Sequence, residues 1–438
     1  METFTRKIKS LDAYDLAVIG GGIAGVSAAI AASRKGIKTV LIEQFAELGG
    51  VATTGGTAAF CGETKGQGFV FDAIINELEK LSAIAPYRPY IESEARSFDH
   101  EVLKIVLQEL CLQNKVDLLF HTRVIETELE NRKITNIILH NASGLQSMPV
   151  KFVIDSSGEA SIAANAGFEK LNEDNDVLYN LPMSLNFFMR KCDQEIIQTI
   201  PFKELGVIQE FSNQEDLPAV SIWPQTHNKV GVKMKVPGFV STNGASLSNA
   251  EISARRKMWS VVNYLQRNKL RKFELKQYKL DYASPILGIR EGRRIAGEYI
   301  LTGDDVKAGK QFNSAIAVGV FYLDYMNPTS EKQIYEIDWE NRHVPPYQIP
   351  FECLIPKGSV NMLVAGRCFS SDRTAFSSAR VMTTCSMLGQ AAGYGAALSL
   401  QSNKTIININ HADLQKILLD NHGLLNTSEY KTLGSKIT

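Results

Sequence analysis

A short apolar strand, a glycine-rich turn, a helix of small residues and a second strand ending in an acid open the chain. Together they predict an α/β protein built on a Rossmann-like dinucleotide-binding domain. The texture changes near residue 172 and reverts near 351, which predicts that this domain is interrupted by an α+β substrate or cap domain. The division expected is residues 1–171 with 351–424 for the first domain, 172–350 for the second, and a loose tail over 425–438.

Each opening element has a physical warrant. Leu16 to Ile19 form an apolar run suited to a strand buried on both faces. Gly20, Gly22 and Gly25 give G-x-G-x-x-G. The first permits a tight turn, the second lets backbone approach a pyrophosphate, and the third lets the helix pack on the strand. The helix carries Ala24, Ala28, Ala29, Ala31 and Ala32 and stops at Gly36. Its first amides, at Ile23 and Ala24, face the expected phosphates. Thr39 to Ile42 form the second strand, and Glu43 ends it, 18 residues past Gly25, where an acid binds ribose hydroxyls.

Composition narrows the classes. The 438 residues are 44% hydrophobic and 21% charged, with 47 basic and 47 acidic side chains, so no net field points to nucleic acid or an anionic membrane. No apolar window is long enough to span a bilayer, and the N-terminus lacks the apolar core of a secretory signal. Six scattered cysteines without C-x-x-C read as reduced thiols of a cytoplasmic protein, and no His or Cys spacing suggests a metal.

Further along, residues 47 to 69 are dense in glycine, which suggests backbone laid against a ligand. Helices are expected at about 71–81 and 99–113, and a hairpin over 117–140 broken at Asn131. Residues 151 to 167 read as a buried strand, Asp155, a turn with Gly158 and an alanine-rich helix. The cap shows the strands MSLNFFMRK and NKVGVKMKV and a helix at about 248–266. NMLVAGRCF is a strand ending in Gly366, followed by a long helix at about 378–400 with Gly389, Gly393 and Gly395 on it; a last helix covers 412–421.

The blocks GIREGRRIAGEYILTGDDV (288–306), PPYQIPFECLIPKG (345–358) and LVAGRCFSSDRTAFSSARVMTTCSMLGQAAG (363–393) resemble the bacterial FAD-dependent oxidoreductase family. With the interrupted domain, they also resemble the glutathione-reductase-like superfamily of FAD-binding proteins, in which succinate/fumarate-type flavoproteins are distant relatives. The resemblance implies noncovalent FAD. It places Gly20, Gly22, Gly25 and Glu43 on the ADP half, and Gly49, Gly50 and Val51 near the diphosphate and flavin. Val124 would meet the adenine through its backbone; Asp155, Ser156 and Gly158 would line the cofactor; Gly366 and Arg367 would close the cleft. The amides near Val381 and Met382 would face the flavin pyrimidine edge, where a helix start stabilises negative charge. Three positions that often hold histidine in relatives carry Met326, Arg373 and Phe376 here.

Candidate catalytic residues are Arg290, Tyr325, Arg373 and Arg380. If 288–296 is a strand, Arg290 and Arg294 share a face with Gly288, Gly292 and Ala296, which leaves room for a ligand with a carboxylate or polarised carbonyl. A domain-interface salt bridge explains such arginines equally well. Arg373 and Arg380 flank the start of the flavin-facing helix; one of them could pair with Asp372 or Glu291. Tyr322 and Tyr325 could carry protons or simply fill a core, and Cys61 reads as a small buried hydrophobe. The function expected is hydride exchange between flavin and a small polar organic substrate. The alternatives are a flavin monooxygenase using NAD(P)H, or a flavin-binding electron-transfer subunit without turnover of its own. The electron partner and any homo-oligomer stay open.

Overall fold

A computed structural model describes residues 5, 7–88, 95–172, 176–195, 209–225 and 228–434. Its main sheet is a run of parallel strands in the order Asp117–Leu119, Thr39–Ile42, Tyr14–Ile19, Gly144–Asp155, Met362–Val364. The Gly144–Asp155 strand is long enough to serve two sheets. Its second half lies in the parallel run, while its first half pairs antiparallel with Lys133–Asn141, which in turn pairs with Arg123–Glu130. Asn131 and Arg132, at φ 50° and 64°, make the turn between those two. The expected hairpin is therefore one part of a three-stranded meander, and Asp117–Leu119 belongs to the parallel sheet instead.

Two helices cover one face of the parallel run: Ile23–Ser33 and Met382–Ser402. They approach unusually closely because glycine faces backbone. A Cβ added at Gly389 would sit 2.1 Å from the Ala24 carbonyl oxygen, and one at Gly393 would sit 2.2 Å from that of Ala28. Ser27 and Ser386 hydroxyls bond across the contact at 2.8 Å. The long C-terminal helix does not begin at 378: Arg373–Ala379 is a separate helix, and the chain is extended at Val381 before the second begins.

The cap is an antiparallel sheet in the order Val220–Pro224, Lys229–Val236, Met183–Lys191, Tyr278–Ala283. Strand alternation divides its residues cleanly. Leu185, Phe187, Met189, Val232 and Met234 share a core with Ala254, Met258, Val261 and Leu265 of the helix Gly244–Arg267. The other face carries Ser184, Asn186, Lys233 and Lys235, with Phe188 packed into the core of the dinucleotide-binding part, and it turns toward the glycine-rich loop, where Asn186 Nδ2 donates to the Gly55 carbonyl at 2.7 Å.

Ala315–Gly319 and Tyr347–Pro350, assigned to the cap, pair with each other, and Ile316, Ala317, Tyr347 and Ile349 join the core of the dinucleotide-binding part. The residues of the cap core itself run from Met183 to Leu287. The tail is not loose where it is described: Thr427–Gly434 is helical, and Leu425, Thr427 and Tyr430 are buried. Residues 435–438 of that tail lie outside the described residues.

Candidate active site

The glycines of the opening turn separate by what surrounds them. Gly20 has φ 99°, and a Cβ there would meet the Ser156 carbonyl oxygen at 2.6 Å. At Gly25 it would lie 1.9 Å from the Gly20 carbonyl oxygen. At Gly22 it would meet nothing within 4 Å. Two glycines are thus fixed by protein packing and the middle one borders open space. The helix that starts at Ile23 has Gly22 as its N-cap and no side-chain cap, leaving its first amides directed at that space.

Gly49 and Gly50 back this turn. The Gly49 amide donates to the Gly21 carbonyl at 2.8 Å, and a Cβ on Gly50 would lie 3.2 Å from Gly22 Cα. Val51 follows in a short 3-10 turn and holds the Thr57 amide through its carbonyl. Glu43 is buried, its Oε2 accepting from the Gly21 amide at 2.6 Å and its Oε1 from Phe45 at 3.0 Å. Burial pushes its carboxyl above the usual range, against the pull of those amides. A carboxylate has about four lone-pair sites, so two such bonds leave acceptor capacity for hydroxyl groups. Val124, in the Arg123–Glu130 strand, is buried in the core cluster that also holds Ile19 and Ile42.

Asp155 is bonded to the protein through both carboxylate oxygens. Its carboxylate accepts from Ser157, Ile162 and Ala163 amides, which shapes the turn and starts the helix after it. Ser156 bonds Ile19 and Gly20 carbonyls and locks that turn to the first strand. Arg367 lies against Gly158 and faces Glu159 at 3.3 Å. Gly366, at φ 74°, touches Ala24. Val381 is the N-cap of the Met382–Ser402 helix, again with no side-chain cap, and Thr383 ties that end to the Cys61 carbonyl at 2.9 Å. An open space at Gly22, two uncapped helix starts and a buried acid form a donor and acceptor set that fits an adenine dinucleotide carrying a flavin.

Across the cleft the candidate catalytic residues divide. The 288–296 segment is extended but not a strand, so the expected alternation fails: Arg294 turns to Glu291, 3.2 Å away, with both side chains buried. Arg290 instead donates to Ser184 Oγ and to Met326 Sδ, each at 2.9 Å. Both acceptors are neutral. Arg380 pairs with Asp324 at 2.6 Å, rather than with Asp372 or Glu291. Asp372 caps the Arg373–Ala379 helix. Arg373 stacks over the Tyr325 ring, 4.4 Å from its centroid. Burial raises the Tyr325 phenol, although the Arg373 charge opposes this.

Sequence reading missed Ser184, Asp324, Lys233 and Arg342. Asp324 is the one carboxylate among several cations: burial would raise it, but Arg380, Arg290, Lys233 and Arg342 together hold it below the usual range. Arg342 is boxed by Tyr335, Trp339 and Tyr322 rings at 3.7, 4.6 and 4.7 Å. The signal for Lys233 was present in NKVGVKMKV, whose lysines fall on alternate positions between apolar ones. Burial raises Cys61, which stands beside this cluster and is no ready thiolate. No three or more His, Cys, Asp or Glu among the described residues are grouped to hold a metal.

Residues 15–418 match the profile of the family described as FAD dependent oxidoreductase. No curated protein matches the chain. Among solved structures, it is similar to a geranylgeranyl bacteriochlorophyll reductase-like protein from Thermoplasma acidophilum, at 13% identity and TM-score 0.49, over 97% of this chain and 90% of that one. It is also similar to p-nitrophenol 4-monooxygenase from Pseudomonas putida, at 11% identity and TM-score 0.46, over 96% and 89% of the two chains. A third is anhydrotetracycline hydroxylase from Streptomyces rimosus, at 11% identity and TM-score 0.46, over 98% and 72%. None of these likenesses bears on the substrate. The family match runs over nearly the whole chain, and the protein therefore belongs to the FAD-dependent oxidoreductases, enzymes that use FAD.

Proposed function

We propose that the protein exchanges a hydride between noncovalently bound FAD and a small polar organic substrate held between the glycine-rich loop and the polar face of the cap sheet. When bound, FAD supplies a two-electron hydride donor or acceptor. In this reading Gly20, Gly22, Ile23, Ala24 and Gly25 cradle the diphosphate, with Gly49, Gly50 and Val51 behind them. Glu43 accepts from the ribose, Val124 borders the adenine, and Ser156, Gly158, Gly366 and Arg367 line the cleft. The amides at Val381 and Met382 meet the pyrimidine edge. Arg290 and Arg380 orient the substrate, and Arg373 with Tyr325 closes the other side.

The observation that carries the proposal is the state of Arg290. A guanidinium withdrawn from water is costly unless an oxygen ligand or anion meets it, and here its hydrogen bonds go to a hydroxyl and a thioether. Burial lowers its pKa, which is the mark of a cation not fully compensated. A cytoplasmic location fits the six free cysteines. The test is anaerobic mixing of the FAD-loaded protein with a panel of small hydroxy, amino and keto compounds, reading flavin bleaching or return of colour. A compound that reduces or reoxidises the flavin without NAD(P)H supports the reading. Reduction by NAD(P)H alone, followed by oxygen insertion into a substrate, would replace it by a monooxygenase.

A further inference from the structure

We infer that Lys233 is a substrate-binding residue which, with Arg290, takes a carboxylate or similarly small anionic group of the substrate. The inference rests on the site proposed above and names the substrate class for it.

The register of the cap sheet sets the position. Lys233 stands opposite Asn186 on one side and Ser221 on the other. Residues directly opposite in an antiparallel pair share a face. Asn186 on that face reaches the Gly55 carbonyl at 2.7 Å and Thr57 Oγ1 at 3.2 Å, so the face looks at the glycine-rich loop. Two residues on, Lys235 stands opposite Ser184, the hydroxyl that receives Arg290. Lys233 and Arg290 therefore approach one place from a strand and from an extended segment of the cap. Val232 and Met234, on the other face, are fully buried in the cap core, so Lys233 cannot turn that way.

The two lysines differ in what they hold. Lys235 is buried and donates to the Lys332 carbonyl at 2.9 Å. Lys233 is half-buried, and its side chain makes no hydrogen bond or ion pair among the described residues. Asp324, the carboxylate of this cluster, is engaged by Arg380 at 2.6 Å. Lys233, Arg290, Arg380 and Arg342 all act on Asp324, and Lys235 feels Asp324 and Glu336, so the cations here outnumber the carboxylates. Burial and the Arg290 charge lower the Lys233 ammonium to about 8 despite the opposing pull of Asp324, which leaves it mostly charged at neutral pH. A solvated surface lysine would not be flanked by Asn186, Ser184 and Lys235, all buried. An anionic group between Lys233 and Arg290 supplies the missing countercharge.

The probe is acetate, with acetamide as its neutral isostere, titrated calorimetrically into the FAD-loaded protein. Acetate should bind at least about tenfold more tightly than acetamide, as loss of charge-assisted bonding demands. Lys233→Met should weaken acetate about tenfold or more and leave acetamide unchanged, while Lys233→Arg keeps most of the affinity. Thermal unfolding of Lys233→Met should be no lower than that of the parent, because no bond is broken. Equal binding of acetate and acetamide, no measurable acetate binding, or parental acetate affinity in Lys233→Met overturns the inference. The hydride-transfer reading fails separately, if acetate behaves as expected but no carboxylated compound exchanges electrons with the flavin.

Discussion

Gly389 is packed against Ala24 so tightly that a Cβ on the glycine would stand 2.1 Å from the Ala24 carbonyl oxygen. The obstacle is backbone, not a side chain that can swing away. The same residue, Ala24, faces Gly366, where an added Cβ would stand 3.0 Å from the Ala24 Cβ. Helix contact and the proposed cofactor site are thus joined through one residue. Gly389→Val should force the helices apart, cost about 1–3 kcal/mol or more from overpacking, and lower FAD occupancy along with the melting temperature. Parental FAD content and melting temperature in this variant would show that the contact is slack.

Gly22 and Gly25 should separate folding from cofactor binding. Gly22 borders open space, so Gly22→Val should fold with a parental circular dichroism spectrum and elute colourless, its side chain occupying the diphosphate position. Gly25→Val meets the Gly20 carbonyl at 1.9 Å and should fail to fold or aggregate. Heat-precipitated parent protein should release yellow FAD into the supernatant. A yellow, fully loaded Gly22→Val would remove this turn from the diphosphate site.

The opening turn was readable because its logic is local. Gly20, Gly22, Gly25 and Glu43 lie within 24 consecutive residues, and spacing alone brings them together. The proposed substrate side was not readable in the same way. Asp324 and Arg380 are 56 positions apart, and their pairing depends on how the cap and the closing helix dock. The alternation read into 288–296 misled, since alternation places residues only when partner strands hold the segment flat. Here isolated bridges at Gly288, Ile295 and Gly297 pin an irregular segment, and Glu291 can meet Arg294. The tail looked polar and terminal, yet Tyr430 reaches Gln67 and the Gly66 carbonyl, contacts no local pattern announces.

Acetate binding should respond to pH through Lys233. Its pKa is lowered to about 8 by burial and by Arg290, with Arg380 adding to this and Asp324 and Cys61 opposing; Lys235 is lowered to about 8 as well, with Glu336 opposing there. Affinity should be flat between about pH 6 and 7, where acetate is ionised, and fall as pH rises through 8, by up to tenfold per unit for a single proton. Lys233→Arg should abolish most of that fall. Stability has the opposite sign. An unfolded lysine titrates near 10.4, so between about 8 and 10 the unfolded chain binds more protons and stability without an anion should rise with pH. Lys233→Met should reduce this rise. An acetate affinity constant between pH 6 and 10 would exclude lysine from the site.

Arg290 and Arg294 lie four residues apart on one irregular segment and should give opposite phenotypes. Arg294 is 3% exposed and faces Glu291, whose side chain is wholly buried. Arg294 also donates to the Ser371 carbonyl at 2.7 Å, which ties the cap segment to the closing part of the dinucleotide-binding domain. Removing the cation leaves a buried carboxylate without its partner, a change that costs about 3–5 kcal/mol in folded proteins. Arg294→Met should therefore melt far below the parent, with turnover per bound flavin close to normal in whatever folds. Arg290→Met removes a guanidinium that no carboxylate pairs among the described residues, so the fold should keep its melting temperature and its FAD. Reductive half-reaction efficiency with the true substrate should fall about 10²-fold, equivalent to about 3 kcal/mol of charge-assisted hydrogen bonding at the transition state. Stopped-flow reduction and calorimetric melting on both variants decide the matter. If Arg290→Met is the one that unfolds, and reduces normally per flavin, Arg290 is a structural cation and substrate recognition must centre on Arg373 and Tyr325.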